Sequence, residues 1–204
     1  MIDICIKKIG GVWFGVAHDR ELIYATTFAF GEDKVLKSLR ESLPSHAPFQ
    51  QLGKPSSFAE RVIAVIKDIY VGKNVLHSFS FATERLSKYA RKVIDVVSLI
   101  PPGYVASYGA VAKAAGGSPR AVGRVMAINP FAPICACHRV VSSDLSLGGY
   151  GGGLDVKLAF LKREKRGYTS KKEIPVDGKK LELYPVEWVL RKLDKDKRQT
   201  PLRG

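Results

Sequence analysis

No stretch of this chain of 204 residues offers the roughly 18 consecutive apolar residues that a membrane-spanning helix needs. The opening Met1–Gly10 alternates and carries Asp3, Lys7 and Lys8, unlike the basic-then-apolar layout of a secretory signal. A cytosolic protein with no membrane partner is expected. Cysteine is scarce: Cys5, Cys135 and Cys137. An odd number argues against a disulfide framework. The four histidines, His18, His46, His77 and His138, do not supply zinc-ligand spacing, so no metal and no cofactor are expected. Acidic residues are few, 19 against 33 Lys and Arg, which leaves a net charge of +14. That excess suits a polyanionic partner, because each phosphate contact by a cation releases counterions. A solvated basic surface is the plainer reading of the same charge.

What is present is ordinary for a globular protein: 46% hydrophobic and 25% charged residues, enough for one large domain or two small ones. The pattern predicts an α+β fold. A small N-terminal sheet-plus-helix domain spans 1–80. A mainly helical domain with a helix-turn-helix follows over 83–167, and 168–204 forms a C-terminal extension. Ile2, Ile4 and Ile6 alternate with Asp3, Cys5 and Lys7 as in a strand. Val12–Ala17 and Leu22–Phe30 read as two more strands around a turn at His18–Glu21. Cys5 is expected to be a small core or half-buried residue. Val35, Leu36, Leu39 and Leu43 have helical spacing, and Ser57-Phe58-Ala59-Glu60 reads as a capping box with Ser57 at the cap.

In the second domain Thr83 is expected to cap a helix with Leu86, Ala90, Val93, Ile94 and Val97 on one face, ended by Pro101-Pro102. Ser107 caps the next helix, which stops at Gly116-Gly117. Ser118 caps a third, with Pro119 at its first position and Asn129-Pro130 at its end. Two short helices joined by a tight Gly-Gly-Ser turn have the layout of a helix-turn-helix. The third helix carries small residues, Ala121, Gly123 and Ala127, beside Arg120 and Arg124. Small residues allow close approach to a groove, and the arginines reach phosphates or bases. A tightly packed helix of any helical subdomain fits the same residues.

The segment Asn129–Glu164 holds Cys135-Ala136-Cys137-His138-Arg139-Val140, then a glycine-rich loop Gly148–Gly153, then a helix over about Leu154–Arg166 with Leu154, Leu158 and Leu161 on one face. A nucleophilic cysteine reacts as thiolate and needs a base or a cation nearby. His138 is adjacent, but neighbouring side chains of an extended segment point to opposite faces. A bridging water or a turned segment would join them, and Glu164 would orient the imidazole as in a Cys–His–Glu relay. Taken alone, Cys-x-Cys-His is better read as a buried structural cysteine or a fragment of a metal site.

Cys137-His138-Arg139-Val140, preceded eight residues earlier by Asn129-Pro130, resembles the active-site signature of the O6-alkylguanine-DNA alkyltransferases, the methylated-DNA–protein-cysteine methyltransferases. Ser107-Tyr108, the run Pro119–Gly123 and the Tyr150-x-Gly-Gly loop match that family in order and spacing. The resemblance covers about 83–167. It implies an enzyme that transfers an alkyl group from O6-alkylguanine in double-stranded DNA irreversibly to its own cysteine, once per molecule. By resemblance the helix-turn-helix enters the minor groove and the damaged base is flipped out. Cys137 is then the nucleophile, activated through water by His138 and Glu164. Tyr108 aids flipping and donates a proton to the guanine ring, and Asn129 braces the turns around the site. Arg120 fills the vacated space in the duplex, with Ser107, Ala121, Gly123 and Arg124 also at the DNA. Val140, Tyr150, Gly151 and Met126 line the base pocket: the carbonyls of Cys137 and Val140 read the exocyclic amine, and the Gly151 amide reaches O6. A monomer without cofactor is implied.

Two residues depart from the family pattern: Ala136 stands where proline is usual, and Gly151 where serine is common. Cys135, two residues from Cys137, is expected to share its face on a strand as a core filler. In the extension, Asp177-Gly178 between two apolar runs signals a hairpin. Val186–Leu193 is expected to form a short helix containing Trp188, with Asp194–Gly204 charged and frayed. Three other readings are a non-catalytic relative that only signals damage, a helix-turn-helix regulator, and a multi-turnover thiol hydrolase. The presence of Cys137 argues against the first and the small third helix against the second. No residue pair offers the water-activating step of the third.

Overall fold

The structure, a computed structural model, describes residues 1–199. The chain forms two compact units, one of Met1–Ser87 with Asn129–Cys135, the other of Lys88–Ile128 with Ala136 onward. The chain therefore returns to the first unit for seven residues just before Cys137.

The first unit is a five-stranded sheet with two helices. Strands β1 (Ile2–Ile9), β2 (Val12–Asp19) and β3 (Leu22–Ala29) form an antiparallel meander. Helix α1 (Glu32–Glu41) follows, then β4 (Phe49–Gln51), α2 (Ser57–Tyr70) and β5 (Ser80–Phe81). The sheet order is β4-β1-β2-β3-β5, with both edge strands parallel to their neighbours. Alternation sorts the side chains. Ile2, Ile4 and Ala17 pack with Val35 and Leu39 of α1. Gly15 belongs to that face because a Cβ there would stand 2.6 Å from Val35 Cγ1. Phe14 and His18 face α2, their rings meeting Tyr70 and Phe58. Cys5 is fully buried beside His18, so both faces of the sheet are covered. The cap of α2 is Ser56, whose hydroxyl accepts from the Ala59 amide at 3.1 Å. The expected Ser57 is the first helical residue instead, one position later, and Glu60 pairs with Lys7 at 2.9 Å.

The second unit starts with α3 (Lys88–Ser98), which buries Ala90, Val93, Ile94, Val96 and Val97. Thr83 does not cap it. Thr83–Arg85 is a separate 3₁₀ turn, and Leu86 is extended (φ −90°, ψ 147°), which ends that turn two residues before the helix. Then come β6 (Tyr104–Ser107), α4 (Tyr108–Ala115) and α5 (Pro119–Ala127). Ser107 and Ser118 cap these helices through the amides of Ala110 and Ala121, at 3.0 and 3.2 Å. The turn needs glycine: Gly116 and Gly117 have φ of +86° and +93°. Next are β7 (Val140–Val141), α6 (Leu154–Arg163), β8 (Lys172–Val176), β9 (Lys179–Pro185) and α7 (Val186–Gln199).

This unit is less purely helical than expected. It holds a four-stranded sheet of order β7-β6-β9-β8, in which β6 runs parallel to β7 and antiparallel to β9. Strands of two and four residues are too short to show a period. The hairpin turns at Asp177-Gly178, both at positive φ. Helix α7 continues through Asp194–Gln199, supported by a Lys192–Asp196 pair at 3.2 Å, so those residues are not frayed. The remainder of that expectation, residues 200–204, lies outside the described residues. Among the described residues no helix is long and apolar enough to cross a membrane.

The extension completes a core. Val105 of β6, Val141 of β7 and Leu161 of α6 pack with Val186 and Val189 of α7. Leu183 of β9 is fully buried. Leu183→Ala is therefore expected to cost about 2–5 kcal/mol in urea unfolding. A surface-like cost of about 0.5 kcal/mol or less would show that the hairpin is only an appendage.

Candidate active site

Cys137, His138 and Arg139 form one 3₁₀ turn between a bend at Cys135 and strand β7. The segment is turned, not extended. Cys135 and Cys137 therefore do not alternate along a strand, and the shared-face expectation for them is replaced. The Arg139 amide closes the turn on Ala136 O at 2.9 Å. Ala136 has φ −75°, within the range a proline would fix, so alanine keeps that backbone at this departure from the family pattern. Parallel pairing of Ala106 with Val140 and Ser107 with Val141 sets the turn beside the strand that leads into Tyr108.

Cys137 is 7% exposed. His138 is fully buried and stacks on Phe160 at 4.4 Å between ring centroids. Its Nε2 lies 2.9 Å from Glu164 Oε1. Its Nδ1 is buried with no hydrogen-bond partner among the described residues. Glu164, at the C-cap of α6, is 1% exposed. Arg139 holds it: Nε donates to both carboxylate oxygens, at 3.1 and 2.9 Å, and Nη2 to Oε1 at 2.7 Å. Arg139 Nη1 donates to Ile100 O at 2.6 Å. Burial pushes the His138 pKa down, against the pull of Glu164, so the ring is neutral at pH 7. Burial works to raise the Glu164 pKa, but His138 and Arg139 outweigh it and hold the group below the usual carboxylate range. With the imidazole neutral, Arg139 is the charge that keeps Glu164 ionised.

The glycine-rich loop meets both Cys137 and Tyr108. Tyr150 is hydrogen-bonded to Cys137, and burial together with that thiol raises its pKa. Tyr108 Oη donates to Gly149 O at 3.2 Å, and burial followed by Cys137 raises its pKa also. Both phenols remain proton donors at neutral pH. A Cβ on Gly148 (φ +64°) would stand 2.9 Å from the Tyr108 ring, and one on Gly123 would stand 4.0 Å away on α5. Lys157 of α6 is fully buried and donates to Val140 O and Leu147 O at 2.5 Å and to Gly149 O at 3.2 Å. Val140 O thus already has one partner, as does Cys137 O, which accepts from the Val140 amide. Each carbonyl keeps a second lone pair.

The other expected residues sit as follows. Arg120 and Arg124 are exposed on α5, while Ala121, Gly123 and Met126 are half-buried there. Ser107 is buried, its hydroxyl engaged in the cap of α4. Gly151 is exposed in the loop. Asn129 belongs to the first unit, where it accepts from the Phe131 amide at 3.0 Å and donates to Cys135 O at 3.3 Å, two residues before Cys137. Among the described residues no group of three His, Cys, Asp or Glu side chains is placed to hold a metal. Arg139 and Lys157 were not singled out from the sequence. Nor did the expected face of α6 hold: Leu154 is exposed, and Lys157, Phe160, Leu161 and Glu164 are buried. That set follows i, i+3, i+4, i+7, so placing Glu164 inward already implied it.

Residues 88–166 match the family described as 6-O-methylguanine DNA methyltransferase, DNA binding domain. The chain is 46% identical over 78 residues to the methylated-DNA–protein-cysteine methyltransferase of Methanothermobacter thermautotrophicus, an alignment spanning 38% of this chain and 44% of that protein. With the protein of the same name from Methanocaldococcus vulcanius it is 44% identical over 163 residues, covering 78% of this chain and 96% of the relative. The crystal structure of O6-methylguanine-DNA methyltransferase from Pyrococcus kodakaraensis strain KOD1 is similar, with a TM-score of 0.62 at 28% identity, over 80% of this chain and 99% of that one. With near-complete coverage of a relative at this identity, the chain belongs to the methylated-DNA–protein-cysteine methyltransferase family.

Proposed function

We propose that this protein repairs duplex DNA by moving the alkyl group of an O6-alkylguanine onto Cys137, one group per protein molecule. The observation that carries the reading is the buried imidazole of His138, the residue that follows Cys137. One nitrogen is bound to Glu164, and the other, Nδ1, is left as an acceptor. Glu164 fixes the proton on Nε2, which makes Nδ1 the base. Through one water Nδ1 draws the Cys137 proton, and His138 becomes an imidazolium balanced by Glu164. The thiolate attacks the alkyl carbon. The S–C bond forms, the C–O6 bond breaks, and its electron pair moves into the purine. Tyr108 gives its proton to the guanine ring, so the base leaves neutral. The resulting thioether has no leaving group that water can displace easily, which makes the reaction a single turnover.

The DNA partner follows from the family's DNA-binding domain and from charge. The small half-buried residues of α5 permit a close fit to the minor groove, with Arg120 and Arg124 exposed beside them. A base in the stack hides its O6 substituent, so the guanine is flipped into the pocket walled by Tyr108 and Tyr150, with Arg120 in the gap. The second lone pairs on Cys137 O and Val140 O receive the exocyclic amine, and the Gly151 amide faces O6. Asn129 steadies the approach to Cys137 by holding Cys135 O.

Incubation with an oligonucleotide bearing O6-methylguanine is expected to add one methylene mass to Cys137, with no gain in Cys137→Ser. Lesion binding without a mass gain would overturn alkyl transfer. Arg120→Ala is expected to slow transfer from DNA by about 10- to 100-fold while leaving a free small alkyl donor nearly unaffected, because only flipping needs the side chain. Equal loss on both substrates would count against that role.

The relay has a pH signature. His138 is held neutral, with its pKa below the ordinary 6.5, so the base remains competent into mildly acidic solution. Stability follows the same sign. The folded pKa values of His138 and Glu164 both lie below their ordinary 6.5 and 4.5. Their contribution is present at neutral pH and is lost as pH falls, first through the imidazole and then through the carboxylate. Glu164→Gln strands Arg139 and loses the tautomer. It is expected to cost about 3–5 kcal/mol in urea unfolding and to slow transfer by about 100- to 10,000-fold. Retention of wild-type rate by this variant would remove the relay.

A further inference from the structure

Lys157 is fully buried in α6, where an ammonium group is costly and a methionine would fill the same space. What the ammonium adds is three donors pointing in different directions. Its acceptors come from two separate pieces of chain. Val140 O belongs to β7, directly after the turn of Cys137–Arg139. Leu147 O and Gly149 O belong to the loop that carries Tyr150, a stretch with no helix or strand of its own. The same Gly149 carbonyl accepts from Tyr108 Oη, and the ammonium stands 6.0 Å from the centre of the Tyr108 ring. One oxygen thus joins the lysine to the tyrosine.

We infer that Lys157 is a positioning residue for alkyl transfer: its ammonium ties the glycine-rich loop to β7 and, through the shared Gly149 carbonyl, sets where the Tyr108 hydroxyl stands. This rests on the alkyl-transfer reading above. Bonds to a charged donor are stronger than neutral ones, so three of them hold a loop of this glycine content in one conformation. Without them the loop has the freedom glycine gives, and Tyr108 loses the fixed geometry that proton donation requires. The charge is present at working pH: burial lowers the Lys157 pKa to about 8, with Cys137 pulling the other way, which leaves a cation at pH 7.

The test is a double-mutant cycle on the full chain, read as the single-turnover rate of methyl transfer from an O6-methylguanine oligonucleotide. The variants are Lys157→Met, Tyr108→Phe and the pair, each checked by thermal melting. Lys157→Met is expected to slow transfer by about 10- to 100-fold, the rate equivalent of one or two charged hydrogen bonds. In the Tyr108→Phe background its further effect is expected to shrink to about threefold or less, because the hydroxyl it positions is gone. A merely structural lysine would give the same loss in both backgrounds. Two results overturn the inference: a Lys157→Met rate within about threefold of wild type, or effects that multiply in the pair. If the methionine variant melts below the assay temperature, the cycle is run at a lower temperature at which all the variants are folded, with the same criterion. A wild-type protein that gains no mass on Cys137 would instead overturn the alkyl-transfer reading itself.

Discussion

Glu164 carries a negative charge at 1% exposure, and two consecutive residues of the Cys137–Arg139 turn meet it. That meeting depends on backbone geometry. In a strand His138 and Arg139 would point to opposite faces. A 3₁₀ turn advances about 120° per residue, which lets both side chains reach one carboxylate. The carboxylate in turn defines the imidazole. Bound by a permanently charged guanidinium, it stays ionised, and as an acceptor it selects the Nε2–H tautomer. The other nitrogen, Nδ1, is then left as an acceptor. An amide in place of the carboxylate would keep one acceptor oxygen but lose the charge, and its NH2 would face the donors of the buried guanidinium. Removing the arginine would leave the carboxylate facing only a neutral ring, and burial would then push it toward protonation.

The electrostatics around Cys137 extend this constraint. Two buried cations, Arg139 and Lys157, stand against one buried anion, Glu164. Tyr150, held protonated by burial, is hydrogen-bonded to the Cys137 thiol. Each of these groups is buried, so the field is little screened by salt.

Much of this was legible in residue order. The caps at Ser107 and Ser118, the Gly116-Gly117 turn and the hairpin at Asp177-Gly178 each rest on local chemistry, and local chemistry is what sequence displays. The Cys137-His138-Arg139-Val140 signature pointed to the cysteine and the imidazole on which the proposed reaction rests. What stayed hidden was non-local. Strand β6 exists only because it pairs with β7 on one side and β9 on the other, and nothing in four or two residues announces that. Lys157 reads as a surface cation in a helix with several, and only the phase of α6 reveals it as internal. That phase was available from Glu164. Following the leucines gave the wrong face because Leu154 opens the helix in solvent. Arg139 was visible within the signature, yet its role needs the turn that brings it back to Glu164.

The extension after the matched residues 88–166 bears on the same site from another side. Strand β6 ends in the cap that starts α4 and Tyr108, and its parallel partner β7 carries the carbonyl that Lys157 holds. A two-stranded parallel pair of this length is marginal by itself, and its open edge invites pairing. In this protein β9 occupies that edge, and Val186 and Val189 of α7 fill the core beneath β6, β7 and α6. The strands that aim Tyr108 and hold the nucleophile's turn are therefore interior to a four-stranded sheet or packed against its helix. Rigidity at the site comes from burial supplied by residues that carry no chemistry of their own.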